Sequence, residues 1–274
     1  IINVFSEEEA FKSQPDIVFV TNPTSMHVDS AIKAAEKDCH LFIEKPLSND
    51  LKNVDKLIKL VKRKELITLM GCNLRFNPVI LKIKEIIEQQ KLGKPLTFRA
   101  TCGSYLPNWR PWQDYRKSYS ARKDLGGGVV LDLIHELDYT YWIFGEFTEC
   151  RGLLRKLSAL EIETEDCAEI IVETKKGIIG SIHLDYFTKV PERFIKVTFQ
   201  HGIIKGDLIN NTVTIEQKNK QEKTKFKFDR DFTYREQLKY FINCVKSNTE
   251  TFNNVETGYK VLKYALNLKR ENCL

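Results

Sequence analysis

The sequence predicts an α/β chain: a partial, doubly wound parallel sheet, followed by an α+β domain built on a large, mostly antiparallel open sheet. Two stretches carry the first half of that expectation. Residues 16–23 and 40–46 are short apolar runs that stop in polar residues and proline. Between them Met26, Val28, Ala31, Ile32, Ala34 and Ala35 recur at helical spacing. Strand, helix, strand in that order implies a parallel sheet covered on both faces. The second half rests on a change of pattern at Pro95, after which strand-like runs follow one another with little helix between them. A chain of 274 residues, at roughly 100–200 residues per domain, fits two domains, expected over 1–76 and 77–274.

Taken in order, residues 1–5 read as the end of a strand. Ser6 then caps a short helix to about residue 13, with Glu7, Glu8 and Glu9 in its first turn. Strands are expected over 17–21, 41–44 and 67–70. Ser48, Asn49 and Asp50 should cap a helix over 51–64, whose apolar stripe is Val54, Leu57, Ile58 and Val61. A helix over 79–90 should end at Gly93. Residues 96–105 read as a strand and 106–125 as an irregular segment rich in Trp, Tyr and Arg. Gly126, Gly127 and Gly128 lead into one long apolar helix over 129–144, closed by Gly145. Strands are expected over 147–156, 166–174, 178–187, 193–200, 202–208, 212–217 and 223–229. Hairpin turns fall at 175–177 and 210–211, and helices close the chain over 233–246 and 255–269.

Composition narrows the function classes. Hydrophobic content of 42% and charged content of 29% suit a large globular core. Lys and Arg number 43 against 37 acids; the excess is interleaved, which suits an anionic small molecule better than nucleic acid. The seven cysteines are dispersed, without Cys-x-x-Cys or Cys/His spacing, so reduced thiols in a cytoplasmic setting and no metal site are expected. No apolar run approaches the ~18 residues of a membrane span, and no signal peptide is expected.

Ligands gather at the carboxyl ends of parallel strands, and Thr21, Asn22, Pro23 and Glu44, Lys45, Pro46 occupy two such ends. A lysine in a dry crevice can polarise an oxygen or exchange a proton. Asp132 and His135, three apart on one expected helix, would share a face. Lys, His and Asp without a metal suit moving a hydroxyl proton while a hydride leaves its carbon. Each is ordinary alone: Lys45 could be a surface lysine, and His135 a satisfied core histidine. The triple glycine is not a dinucleotide fingerprint, since no strand precedes it in a strand–helix–strand unit. It suits a close backbone approach at a helix entrance.

Together, Glu44-Lys45-Pro46 after a strand and Gly126-Gly127-Gly128-Val129-Val130-Leu131-Asp132-Leu133-Ile134-His135 resemble the Gfo/Idh/MocA oxidoreductases over nearly the whole chain. The resemblance implies a Rossmann-type dinucleotide-binding domain, NAD or NADP as cofactor, and oxidation or reduction at a sugar, sugar-nucleotide or cyclitol carbon. It matches Lys45 and His135 to the proton-transferring pair and Asp132 to the acid that positions substrate. It places Thr21, Asn22, Pro23, His27, Glu44, Lys45 and Arg75 along the cofactor crevice. Tyr105, Trp109, Arg110, Tyr115, Arg116, Tyr119 and Arg122 are candidates for the substrate wall, because aromatic and guanidinium faces suit a sugar carrying phosphate or carboxylate; an ordinary loop over the sheet is the bland alternative.

The spacing of Asp132 and His135 is three where many members have four. The family's opening strand, Gly-rich turn and helix are not seen before residue 16, and at about 30 residues per strand–helix–strand unit something like 50–60 residues are expected to be missing. The chain as given is then expected to bind NAD(P) poorly, because pyrophosphate is held by that first unit's helix N-terminus. A homodimer or homotetramer is expected through the open sheet, since 166–174 and 178–187 are apolar on both faces. A catalytically inactive binding or dimerisation module is the alternative, and a nucleic-acid binder lacks a recognition helix or basic stripe.

Overall fold

The computed structural model describes residues 3–273. It divides into two compact units. The first comprises residues up to Cys72 together with Gln237–Lys263; the second comprises Asn73–Glu236 with the chain from Tyr264 onward. The expected boundaries at 76 and 77 differ in one important respect: a late segment returns to the first unit.

In the first unit β1 (Ile17–Val20), β2 (His40–Ile43) and β3 (Thr68–Met70) form a parallel sheet in the order β1-β2-β3. The expected strand end at 1–5 lies partly on Ile1 and Ile2, outside the described residues, and Asn3–Phe5 form no strand. Helix α1 (Glu7–Phe11) starts at Ser6, whose Oγ accepts from the Glu9 amide at 3.2 Å. Helix α2 (His27–Glu36) follows a 3-10 turn and buries Val28, Ala31, Ile32, Ala34 and Ala35. Helix α3 (Val54–Arg63) begins three residues later than expected. The polar triplet before it serves a turn: Ser48 Oγ accepts from the Asp50 amide, and Asp50 Oδ1 from the Lys52 amide. Asn53, at φ +60°, then redirects the chain into the helix.

The returning segment explains the boundary. Phe241, on α7 (Phe232–Ser247), meets Phe42 of β2 at 5.9 Å between ring centroids, and Phe19 at 6.2 Å. With Ile67, Leu69 and Cys244 these rings form a buried cluster. Beyond α7 the chain lies along β3. The Met70 amide donates to the Asn253 carbonyl at 2.8 Å, and Thr251 Oγ1 donates to the Thr68 carbonyl at 2.5 Å. These contacts satisfy backbone groups on a sheet edge that would otherwise be open. Helix α8 (Val255–Glu271) starts there, and Gly258 lets it pass so close that a Cβ would sit 2.7 Å from Met70 Cγ.

The second unit carries β4 (Pro95–Gly103), β5 (Phe147–Arg155), β6 (Cys167–Thr174), β7 (Ile179–Asp185), β8 (Glu192–Phe199), β9 (Gly202–Asp207), β10 (Thr212–Gln217) and β11 (Lys220–Lys225). Their order is β11-β10-β9-β8-β4-β7-β6-β5, antiparallel except for β4 beside β7. Helix α4 (Pro78–Gln89) is capped by the Asn77 side chain on the Val79 amide. Its C-terminus is closed by Gln90 in the left-handed region, three residues before the expected Gly93. The last strand ends at Lys225 rather than 229, because Phe228 leaves the sheet to pack on Phe232 at 5.4 Å.

The expected single helix over 129–144 is two helices, α5 (Val129–Asp132) and α6 (His135–Phe144), separated at Leu133 and Ile134. Phe144 stacks on Phe98 of β4 at 4.2 Å, joining α6 to the sheet. Gly180 accommodates that ring, since a Cβ there would lie 2.0 Å from Phe98 Cζ.

Over most of their length strands β6 and β7 alternate. Ile170, Val172, Ile182 and Leu184 are buried, whereas Ile171 and Ile179 are 56% and 54% exposed on the other face. That outer face also holds His183, whose Nδ1 lies 2.6 Å from Glu169 and Nε2 3.0 Å from Asp185. The Asp185 carboxylate, with Glu169 adding to it against partial burial, pushes His183 up to about 9. A folded-state value raised above 6.5 contributes stability that is full below 6.5 and is lost as pH rises through about 9. Denaturant midpoints between about pH 6 and pH 10 should therefore fall more steeply for the wild type than for His183→Asn; parallel profiles would contradict the ion pair.

Candidate active-site residues

In the first unit the candidate residues sit on the turns that follow β1 and β2. Thr21, Asn22 and Pro23 leave β1, and Asn22 Nδ2 donates to Ser30 Oγ of α2 at 2.9 Å. Glu44, Lys45 and Pro46 leave β2. The Glu44 amide donates to the Val20 carbonyl, which ties the second turn to β1. The Glu44 carboxylate accepts from the Lys45 amide at 3.3 Å, and burial raises its pKa while Lys45 opposes the rise. Gly71 makes room for this carboxylate, because a Cβ would come within 2.9 Å of it. His27 is buried, with one ring nitrogen at the Asn22 carbonyl and the other at the Pro46 carbonyl. The structure therefore brings Asn22, His27, Glu44 and Lys45 into one small network at two adjacent strand ends.

In the second unit Asp132 ends α5, and both of its oxygens are engaged. Oδ1 accepts from Tyr119 Oη at 2.6 Å; Oδ2 accepts from Ser120 Oγ at 2.5 Å and from Tyr186 Oη at 3.1 Å. Burial, with Asp132 beside it, keeps the Tyr186 hydroxyl well above its ordinary pKa and hence a donor. The chain breaks helix directly after this anchored carboxylate, so His135 opens a new helix instead of continuing the old one. The one-helix geometry expected for Asp132 and His135 is thus replaced by two helices meeting at a turn.

The glycines shape the entrance. Gly127 lies against the backbone of 119–122, where a Cβ would be 2.3 Å from the Tyr119 carbonyl oxygen. Gly128, at φ +110°, lies over the Glu165 carboxylate, where a Cβ would be 2.4 Å from Oε1. Lys269 of α8 donates to both Glu165 oxygens at 3.1 and 2.9 Å, neutralising a carboxylate that is 1% exposed.

Arg75, expected on a crevice wall, is 1% exposed. Its Nε and Nη2 donate to Asp138 of α6 at 2.8 and 2.7 Å, a bidentate pair. Among the aromatic and basic residues of 105–124, Trp109, Arg110 and Tyr115 line one small depression with Leu106, Gln113 and Ser118. Arg110 lies 5.4 Å from the Tyr119 ring centroid, which links it to the Asp132 cluster. Tyr105 carries the Lys189 ammonium over its ring. Arg116 and Arg122 are exposed and bound to Asp114 and Asp124.

Sequence reasoning missed Ser120, Tyr186, Glu165, Lys269 and Asp138. Acids within the apolar run 129–144 were a signal, because buried carboxylates require partners. The partners come from segments distant in sequence and carry no local mark. Among the described residues, no group of three or more His, Cys, Asp and Glu side chains is placed to hold a metal. None of the described helices is long and apolar enough to cross a membrane.

Two family models match the chain. One, described as an oxidoreductase family with an NAD-binding Rossmann fold, covers residues 2–72; the other, a GFO/IDH/MocA C-terminal domain, covers 80–205. Myo-inositol 2-dehydrogenase of Thermotoga maritima is 30% identical over 260 residues, 90% of this chain and 74% of that protein. The scyllo-inositol 2-dehydrogenase (NAD(+)) of Bacillus subtilis is 30% identical over 172 residues, 61% of this chain and 47% of that protein. Levoglucosan dehydrogenase in complex with NADH and levoglucosan superposes with a TM-score of 0.85 at 17% identity, over 94% of this chain and 78% of that one. UDP-N-acetylglucosamine 3-dehydrogenase from Acidithiobacillus ferrooxidans gives 0.81 at 22% identity, over 98% and 82%. At such identities the two solved structures establish a shared fold.

The buried Arg75–Asp138 pair makes a test of the second unit. Asp138→Ala should cost about 3–5 kcal/mol by leaving an uncompensated guanidinium, whereas Arg75→Met with Asp138→Leu should recover most of it. Urea denaturation of the three proteins decides, and a double variant no better than the single would refute this reading of the pair.

Proposed function

This chain belongs to the Gfo/Idh/MocA family of oxidoreductases, and we propose that the protein carrying it transfers a hydride between NAD(P) and a secondary alcohol carbon of a sugar, sugar nucleotide or cyclitol. The observation that carries the proposal is Lys45, which leaves the carboxyl end of β2 in the unit matched as an NAD-binding Rossmann fold. Ligands of such sheets collect at those ends. The turns there offer polar groups to a nucleotide: Asn22 Oδ1 is buried without a hydrogen-bond partner among the described residues, and Gly71 admits the Glu44 carboxylate into the space its own side chain would fill.

NAD(P), when bound, supplies the hydride acceptor or donor. Thr21, Asn22, Pro23 and Glu44 would hold it. Lys45 donates a hydrogen bond to the reacting oxygen and stabilises negative charge developing there. His135 takes the hydroxyl proton during oxidation and returns it during reduction. Asp132 holds Tyr119, Ser120 and Tyr186 in place and so fixes the turn from which His135 emerges. Trp109, Arg110, Tyr115 and Tyr119 form the substrate wall, with Tyr105 beside Lys189. Arg116 and Arg122 act at its rim, and Arg75 supports it through Asp138. Free, dispersed cysteines support a cytoplasmic setting.

Nicotinamide absorbance followed with myo-inositol, scyllo-inositol, levoglucosan and nucleotide-linked sugars tests the proposal. Lys45→Ala and His135→Ala should each lower kcat/KM by about 10²–10⁴ with NAD(P) affinity little changed. Turnover that survives both substitutions would refute the assignment.

We propose further that the protein is a homodimer or homotetramer, with the outer sheet face as its contact. Leu153, Ile171 and Ile179 are exposed on neighbouring strands of that face. Light scattering at micromolar concentration should show more than one copy, and Ile171→Lys with Ile179→Lys should give monomer. A monomeric wild type would exclude this assembly.

A further inference from the structure

His27 is 2% exposed, and both of its ring nitrogens face carbonyl oxygens. Nδ1 lies 2.8 Å from the Pro46 oxygen, and Nε2 lies 2.8 Å from the Asn22 oxygen. Carbonyl oxygens only accept. A neutral imidazole has one N–H and one bare nitrogen, so it can satisfy one of the two. Its bare nitrogen then meets an oxygen lone pair at hydrogen-bond distance. Only the imidazolium donates to both. Burial opposes the imidazolium most strongly, the two carbonyls favour it, and the positive charge of Lys45 opposes it; together they hold the ring below its ordinary pKa. Lys45 is the charged group that acts on the ring; Glu44, whose carboxylate accepts from the Lys45 amide and whose pKa is raised by burial, is the other titratable group of these turns, and what meets the ring itself is the backbone of Asn22 and Pro46.

The two oxygens belong to the two turns that matter. Asn22 lies just past β1, and Pro46 directly follows Lys45. We infer that His27 is a positioning residue for Lys45: its ring lies between the turn after β1 and the carbonyl of Pro46, the residue after Lys45, and as the imidazolium it ties the two together. At neutral pH the ring donates one hydrogen bond and leaves the other tie open. Acidification adds the second proton, closes the second tie, and places a second cation near Lys45. The two charges are coupled, so protonating the ring disfavours the ammonium form of Lys45 and the reverse holds equally. Histidine is suited to this position because its ordinary pKa places its change of charge near this pH range. The link to chemistry rests on the assignment of Lys45 proposed above; the state of the ring does not.

The ring can be read directly. In protein labelled with ¹⁵N-histidine, His27→Gln assigns the His27 signals among the five histidines. The expected spectrum at about pH 7 has one protonated and one bare nitrogen, converting to two protonated nitrogens with a midpoint below 6.5. A ring doubly protonated at about pH 7, or a midpoint at or above 6.5, overturns the inference. The second measurement is the pH dependence of kcat and KM. Gln offers one amide donor group and does not titrate. His27→Gln should lower kcat roughly tenfold, leave KM for the alcohol within about twofold, and remove the acid limb whose midpoint equals that of the ring. An acid limb identical in both proteins overturns the coupling to Lys45. A Lys45→Ala protein with full turnover defeats the functional assignment instead, and the ring spectrum still decides whether the tie exists.

Discussion

The carboxylate of Asp132 is the contact on which the candidate residues of the second unit depend. Three hydroxyls reach it, from Tyr119, Ser120 and Tyr186. Two come from the irregular segment before the glycines and one from the end of β7, so a single anion gathers a loop, a helix end and the sheet. A buried carboxylate without such partners would carry a large desolvation penalty; with them it becomes a fixed point. The helix break follows immediately, and His135 starts a helix whose own acids, Glu136 and Asp138, pair with Arg193 and Arg75. Satisfied networks of this kind confer geometric specificity more than net stability.

The glycines serve the same arrangement from the other side. Gly127 and Gly128 admit the Tyr119 carbonyl and the Glu165 carboxylate into space a side chain would fill. Lys269, close to the end of the described chain, neutralises Glu165. The first unit has a parallel economy: a late segment supplies Phe241 to the sheet face and Asn253 to the edge of β3. Each unit is thus completed by residues from the last two helices.

Much of this was legible in advance. The alternation of apolar runs and helical spacing located β1, α2 and β2 closely, and the glycine and asparagine turns located the hairpins of the open sheet. The motif around Lys45 and the one around Asp132 and His135 identified the family before any contact was known. Legibility failed where a local rule met a nonlocal partner. Ser48 and Asp50 have the chemistry of helix caps, yet they close a turn, and a left-handed Asn53 sets the true start of α3. Apolar periodicity over 129–144 runs on through a break, because apolar residues line the buried turn as well as the helices on either side. The ion pairs of the candidate arginines also carry no local periodicity: Arg116 and Arg122 of the aromatic and basic segment pair with Asp114 and Asp124, and Arg75, read as part of the cofactor crevice, pairs with Asp138.

Sequence alone determined the order of elements, the change from parallel to antiparallel pairing, and the candidate reacting groups, because these depend on periodicity and residue type over short spans. Tertiary structure decided which side chains those groups touch. The hydroxyls on Asp132, the two carbonyls on His27 and the lysine on Glu165 come from segments whose separation in the chain leaves no periodic trace. Hydrogen bonds and ion pairs act over a few ångströms, and only the folded chain brings such segments that close.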